Sequence, residues 1–135
     1  MNIAIVGATG NVGRKTLEVL EKKELEIDNL YLVASSRSAG IKIKFRGKEY
    51  EVEELDSFDF SKAKIIFFAA GGKISEKFAE KASKNSLVID NSSFFRMDPD
   101  VPLIVPQVNP EDLDSIKKNI IANPNCSTAQ LVIAL

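Results

Sequence analysis

Three glycines spaced three residues apart, Gly7, Gly10 and Gly13, come directly after the apolar stretch Asn2-Ile3-Ala4-Ile5-Val6 at the start of the chain. A short β-branched run of this kind reads as a buried parallel strand. A glycine-rich turn between such a strand and a helix has few structural solutions. Gly7 permits the tight turn, Gly10 lets the backbone approach a pyrophosphate, and Gly13 lets the helix lie close to the sheet. The free N–H groups at the start of that helix then form an anion site. Thr9 and Asn11 add side-chain donors, and Val12 lies in the same turn.

The remaining sequence continues the pattern. A helix is predicted from Asn11 to Lys23, with Val12, Leu17 and Leu20 as its buried stripe and Arg14, Lys15, Glu18 and Glu21 toward water. Strands are predicted at Leu30–Ala34, within Ala63–Ala70 around Ile65-Ile66-Phe67-Phe68, at Leu87–Asp90, at Leu103–Val105 and at Asn119–Ala122. A small hairpin or two short strands are expected over Ile41–Val52, with Arg46-Gly47-Lys48 in the middle. Further helices are expected at Ile74–Ser83, with Ile74, Phe78 and Ala82 four apart, and at Pro110–Ile116, with Asn109 as N-cap. A last helix begins at Cys126 and reads as one cut in mid-course. Alternating strands and helices imply an α/β architecture: a Rossmann-type, doubly wound, mostly parallel sheet covered on both faces. Residues 1–135 read as one nucleotide-binding domain, truncated before a second domain.

Composition removes other classes. With 44% hydrophobic and 27% charged residues, the chain has the balance of a globular domain. No apolar run approaches the roughly 18 residues a membrane helix needs, and the apolar start is too short and wrongly flanked for a signal peptide. A cytoplasmic protein is therefore expected. The net charge of −1 is spread along the chain, giving no basic field for nucleic acid. One cysteine and no histidine leave neither an internal disulfide nor a multi-cysteine zinc site, so no metal is expected.

Two further features bear on chemistry. The loop after the second strand, Ser35-Ser36-Arg37-Ser38-Ala39-Gly40, holds no acidic residue for a ribose 2′-hydroxyl. Arg37 stands there instead, beside Ser36 and Ser38. A guanidinium fork suits a 2′-phosphate, which favours NADP over NAD; the alternative is an ordinary surface arginine. The second feature is Cys126, in Asn123-Pro124-Asn125-Cys126-Ser127-Thr128, after a strand and at the start of a helix. A helix N-terminus favours negative charge and hence a thiolate, so Cys126 is a candidate nucleophile. A cysteine that only packs is the alternative. A nucleotide-binding module without catalysis is the corresponding alternative for the whole chain.

Taken together, Gly7-Ala8-Thr9-Gly10-Asn11-Val12-Gly13, Ala34-Ser35-Ser36-Arg37-Ser38-Ala39-Gly40, Asp90-Asn91-Ser92-Ser93-Phe94-Phe95-Arg96, Val105-Pro106-Gln107-Val108-Asn109 and Asn123-Pro124-Asn125-Cys126-Ser127-Thr128 resemble aspartate-β-semialdehyde dehydrogenase. N-acetyl-glutamyl-phosphate reductases share the glycine loop and the cysteine but not usually the Asp90–Arg96 pattern. The resemblance implies reductive dephosphorylation of aspartyl phosphate to aspartate semialdehyde, with NADP and phosphate, on the route to lysine, methionine and threonine. It implies that Cys126 forms a thioester, and that Arg96 binds phosphate with help from Asn125. Thr9, Gly10, Asn11, Val12, Arg37 and Ser38 would hold NADP. An alternative for Arg96 is an ion pair with Asp98 or Asp100. The resemblance also places an acid–base histidine, a substrate-positioning glutamine and the dimer-forming half beyond this chain. It implies a homodimer for the full-length protein and weak or no activity for the chain alone.

Overall fold

A computed structural model describes residues 1–135. Its strands are β1 (Asn2–Val6), β2 (Asn29–Ala34), β3 (Lys42–Phe45), β4 (Lys48–Glu54), β5 (Ile65–Phe68), β6 (Leu87–Asp90) and β7 (Ile120–Ala122). They form one seven-stranded sheet in the order β3-β4-β2-β1-β5-β6-β7. All pairings are parallel except β3 with β4, which form a hairpin about Arg46-Gly47. The helices are α1 (Asn11–Lys22), α2 (Gly72–Ala82) and α3 (Cys126–Ala134). The doubly wound α/β sheet read from the sequence is therefore present.

Side-chain alternation along β1 assigns the two faces. Ala4 and Val6 join a cluster with Ile66, Phe68 and Val88, covered by Phe78, Ala79 and Ala82 of α2. Ile3 and Ile5 join a second cluster with Leu30 and Leu32, covered by Leu17 and Leu20 of α1. Phe58, just after a short 3-10 turn at Leu55–Ser57, and Phe60, which opens another at Phe60–Lys62, extend the first cluster. These three-residue turns are too short to show a hydrophobic period in the sequence.

Three expectations change. Val12 is 52% exposed and does not belong to the buried stripe of α1; Gly13 takes the inward position with Leu17 and Leu20. Beyond β5 the α1 face of the sheet is uncovered. Val12 and Val19 there line an apolar groove with Phe67 and Ile89. Residues Pro110–Ser115 form a 3-10 turn rather than an α-helix, and Asn109 does not cap it. Its amide instead accepts from the Val105 N–H and donates to the Leu103 carbonyl and to Asp112. None of residues 110–115 is buried, so no apolar face stabilises an α-helix there. Of the strand expected at Leu103–Val105, only a single bridge from Leu103 to Ala122 forms.

Candidate functional site

The order of strands reverses at β1: its two neighbours are β2 and β5, and the chain moves outward in both directions. Ligands of open parallel sheets bind at such a switch point, outside the carboxyl ends of the strands. A cleft of about 390 Å³ lies there, lined by Gly7, Thr9, Gly10, Ser35, Ala69 and Ile74 among others.

The glycine turn builds its floor. Gly7 has φ +86, and a Cβ on it would stand 2.6 Å from the Ala69 carbonyl oxygen. A Cβ on Gly13 would stand 2.1 Å from the Gly7 carbonyl oxygen, so α1 begins against the turn itself. A Cβ on Gly10 would meet only the Gly7 oxygen, at 3.4 Å, and would otherwise project into open space. Gly10 is the N-cap of α1 and no side chain caps that helix. The N–H groups of its first turn, Asn11 to Gly13, have no intrahelical acceptor and carry the positive end of the helix dipole. Bare donors, a close-approach glycine and an open cleft fit the diphosphate of a dinucleotide. Thr9 joins this turn to the loop after β2 by donating its hydroxyl to Ser38 at 3.3 Å. Arg37 on that loop is exposed. Of the proposed cofactor residues, Gly7, Thr9 and Gly10 line the cleft, and Val12 instead lines the groove on the α1 face.

The nucleophile candidate is on the same carboxyl edge but not in the cleft. Cys126 is exposed and opens α3, directly after β7. The Asn125 side chain caps the helix by accepting from the Ser127 N–H at 2.9 Å. From β1 to β7 is three strand spacings, or roughly 14 Å. A dinucleotide anchored at Gly10 and extended along the edge over β5 and β6 would direct its far end toward Cys126.

Arg96 lies beside this edge. Its loop turns sharply after β6 because the fully buried carboxylate of Asp90 accepts from Ser75 Oγ, Ser92 N–H and Ser92 Oγ, at 2.7, 3.0 and 2.7 Å. Phe95, 1% exposed, anchors the loop in the core. Arg96 then reaches back, its Nε donating to the Asn123 carbonyl at 2.9 Å and its Nη2 to the Asn91 carbonyl at 3.2 Å. Neither aspartate considered as its partner engages it: Asp98 pairs with Lys118 and Asp100 with Lys117. Nothing in the sequence pairs Asn91 with Asn123, since only the cross-strand register brings them together.

The parallel sheet, switch-point cleft and glycine turn define a dinucleotide-binding domain of the Rossmann class. Residues 2–116 match the family described as semialdehyde dehydrogenase, NAD binding domain, and the chain belongs to that family. It is 56% identical over 136 aligned residues to the aspartate-semialdehyde dehydrogenase of Aquifex aeolicus, covering 98% of this chain and 40% of that protein. Among solved structures, aspartate semialdehyde dehydrogenase II of Vibrio cholerae complexed with ASA superposes with a TM-score of 0.97. That match has 50% identity and covers 99% of this chain and 44% of that one. The NADP complex of the Candida albicans aspartate semialdehyde dehydrogenase gives a TM-score of 0.79 at 31% identity, over 98% of this chain and 44% of that one. The chain thus spans about 40% of the length of the curated relatives it matches.

Proposed function

We propose that residues 1–135 are the NADP-binding, nucleophile-bearing domain of an aspartate-semialdehyde dehydrogenase. The observation that carries this reading is an exposed cysteine at the first position of α3, on the same sheet edge as a glycine-turn nucleotide cleft. The relatives' names supply the substrate, and the NADP complex of a 31% identical structure supports the cofactor.

In the biosynthetic direction the Cys126 sulfur attacks the carbonyl carbon of aspartyl phosphate. The C–S bond forms, the C–O bond to phosphate breaks, and phosphate leaves with the electron pair. A reduced nucleotide held by this domain would supply a hydride to the thioester carbon. As the thioester carbon gains that hydride, the C–S bond breaks, sulfur recovers its electron pair and the aldehyde is released. Arg96 and the Asn125 amide hold the phosphate group, the guanidinium by its paired donors. Gly7, Gly10 and Gly13 shape the diphosphate site, which Thr9 and the first-turn N–H groups of Asn11 and Val12 complete. Arg37 and Ser38 hold the 2′-phosphate. The chain contains no histidine, so on this reading the acid–base group lies outside residues 1–135. A cytoplasmic homodimer whose second domain holds the substrate is the assembly this reading carries with it.

The test is phosphate-dependent NADP reduction by the full-length protein with aspartate semialdehyde. Turnover that is lost in Cys126→Ala is expected. No turnover in the unaltered protein, or turnover that survives Cys126→Ala, would overturn the proposal.

A further inference from the structure

Strands β6 and β7 pair in register up to Asp90 and Ala122. The ladder runs one residue further: the Asn123 N–H donates to the Asp90 carbonyl at 2.8 Å, and the Asn91 N–H to the Phe68 carbonyl at 2.9 Å. Asn91 and Asn123 are therefore neighbours at the end of the sheet. Their side chains join, Asn123 Nδ2 donating to Asn91 Oδ1 at 2.6 Å. The carbonyls of these same two residues are the acceptors for Arg96.

From this arrangement we infer that Asn91 and Asn123 are positioning residues for Arg96. Their amide-to-amide bond adds to the backbone ladder in holding two carbonyls in place, and those carbonyls fix the plane of the guanidinium. The inference rests on the reading of Arg96 as a phosphate ligand.

The chemistry of the two positions supports it. Carbonyls orient a guanidinium without neutralising it, whereas a carboxylate would cancel its charge and repel an anion. An asparagine pair supplies one donor and one acceptor with no charge. An apolar pair would leave the two strand ends held by the backbone ladder alone. Nη1 of Arg96 makes no hydrogen bond within the chain, and neither Asp98 nor Asp100 pairs with the group. The donors left over present a paired edge suited to phosphate oxygens. The buried Asp90, by holding Ser92, turns the chain so that Arg96 falls back over this rung.

The experiment uses the full-length protein that carries this domain, with Asn91→Ala, Asn123→Ala and the double variant. In the phosphorylating direction, each single variant is expected to raise the KM for inorganic phosphate on the order of tenfold, the scale of one lost hydrogen bond. The KM for NADP should not move. Nor should the burst of reduced nucleotide formed in the absence of phosphate, since thioester formation precedes phosphate entry. Both substitutions delete one shared bond, so the double variant should be no worse than the worse single one. An unchanged phosphate KM, an equal rise in the nucleotide KM, or additive effects would each overturn the inference.

A readout independent of turnover is the Arg96 Nε–H resonance in 15N-arginine-labelled protein. Its hydrogen exchange should be slow in the unaltered protein and faster in each single variant. Exchange as slow in the variants would reject the positioning role whether or not the protein turns over. Faster exchange in a protein with no phosphate-dependent turnover would keep the clamp and reject only the enzymatic reading.

Discussion

The carbonyl oxygen of Gly7 occupies the space a side chain on Gly13 would need, 2.1 Å from the position of its Cβ. The obstacle is backbone at the tightest point of the turn, so no rotamer change relieves it. Gly13→Ala must push α1 off the sheet. The expected cost is about 1–3 kcal/mol, the range for forced overpacking, measured by denaturant unfolding. Nucleotide affinity should fall with it, because the same displacement moves the first-turn N–H groups. Gly10→Ala, by contrast, should leave stability nearly unchanged and still weaken the nucleotide, since its methyl enters open space.

Arg37 has no ionic partner in the chain, and it sits on the loop that Thr9 ties to the glycine turn through Ser38. Arg37→Ala should weaken NADP binding by roughly 10- to 100-fold, as for the loss of charge-assisted hydrogen bonds. NAD binding should change little. Competitive titration of the two nucleotides checks this, and equal losses would remove the 2′-phosphate role.

Arg46, in the turn between β3 and β4, closes the end of α1. Its guanidinium donates to the carbonyls of Leu20, Lys23 and Leu25 at 3.0, 2.7 and 2.9 Å, and its own N–H reaches Glu21. Lys23 is the C-cap of α1, and the Leu20 carbonyl also accepts from the Lys23 N–H, so Arg46 reinforces the end of the helix and ties the following loop to it. Arg46→Ala should cost about 1.5 kcal/mol, the low end of the range for hydrogen bonds to a charged group, because the arginine is exposed. Arg46→Lys should recover little, because a point charge cannot fork across three acceptors. Thermal unfolding of the three proteins decides the matter.

Acid should loosen the loop that carries Arg96. The N–H of Asp100, and then the Lys118 ammonium, hold the Asp98 carboxyl below its ordinary value of 3.8. A carboxyl lowered by folding stabilises the native state at pH above that ordinary value. The contribution fades as the pH falls from 3.8 toward the depressed native value. Asp98→Asn should therefore be the less stable protein at neutral pH, and its acid limb should be shallower below pH 4. Glu18, brought to about 2 by Lys15 and then Lys22, behaves in the same direction, but it is fully exposed and salt should screen it. Unfolding curves at several pH values, in low and high salt, separate the two.

Local pattern made most of the scaffold legible. β1, β2, β5 and β6 are short apolar runs bounded by turn residues, and the glycine spacing located the tight turn and the start of α1. The errors fall where burial depends on a distant neighbour. Val12 has the right period to be inward, yet the sheet beneath that side of α1 is uncovered. Asn109 stands where a cap belongs, but Leu103 and Val105 compete for its amide. The Asn91–Asn123 rung was invisible in sequence because it joins residues 32 positions apart through the register of two strands.

The edge position of β7 has a consequence for how the domain fails. β1 is flanked on both sides by partners, whereas β7 is held along one side by β6 and otherwise by a single bridge from Leu103. Margins of a sheet open before its centre, so amide exchange at Ile120–Ala122 should outpace that at Ile3–Val6. Mild warming would then strip the sulfur from its post while the nucleotide grip survives, and cooling would restore it.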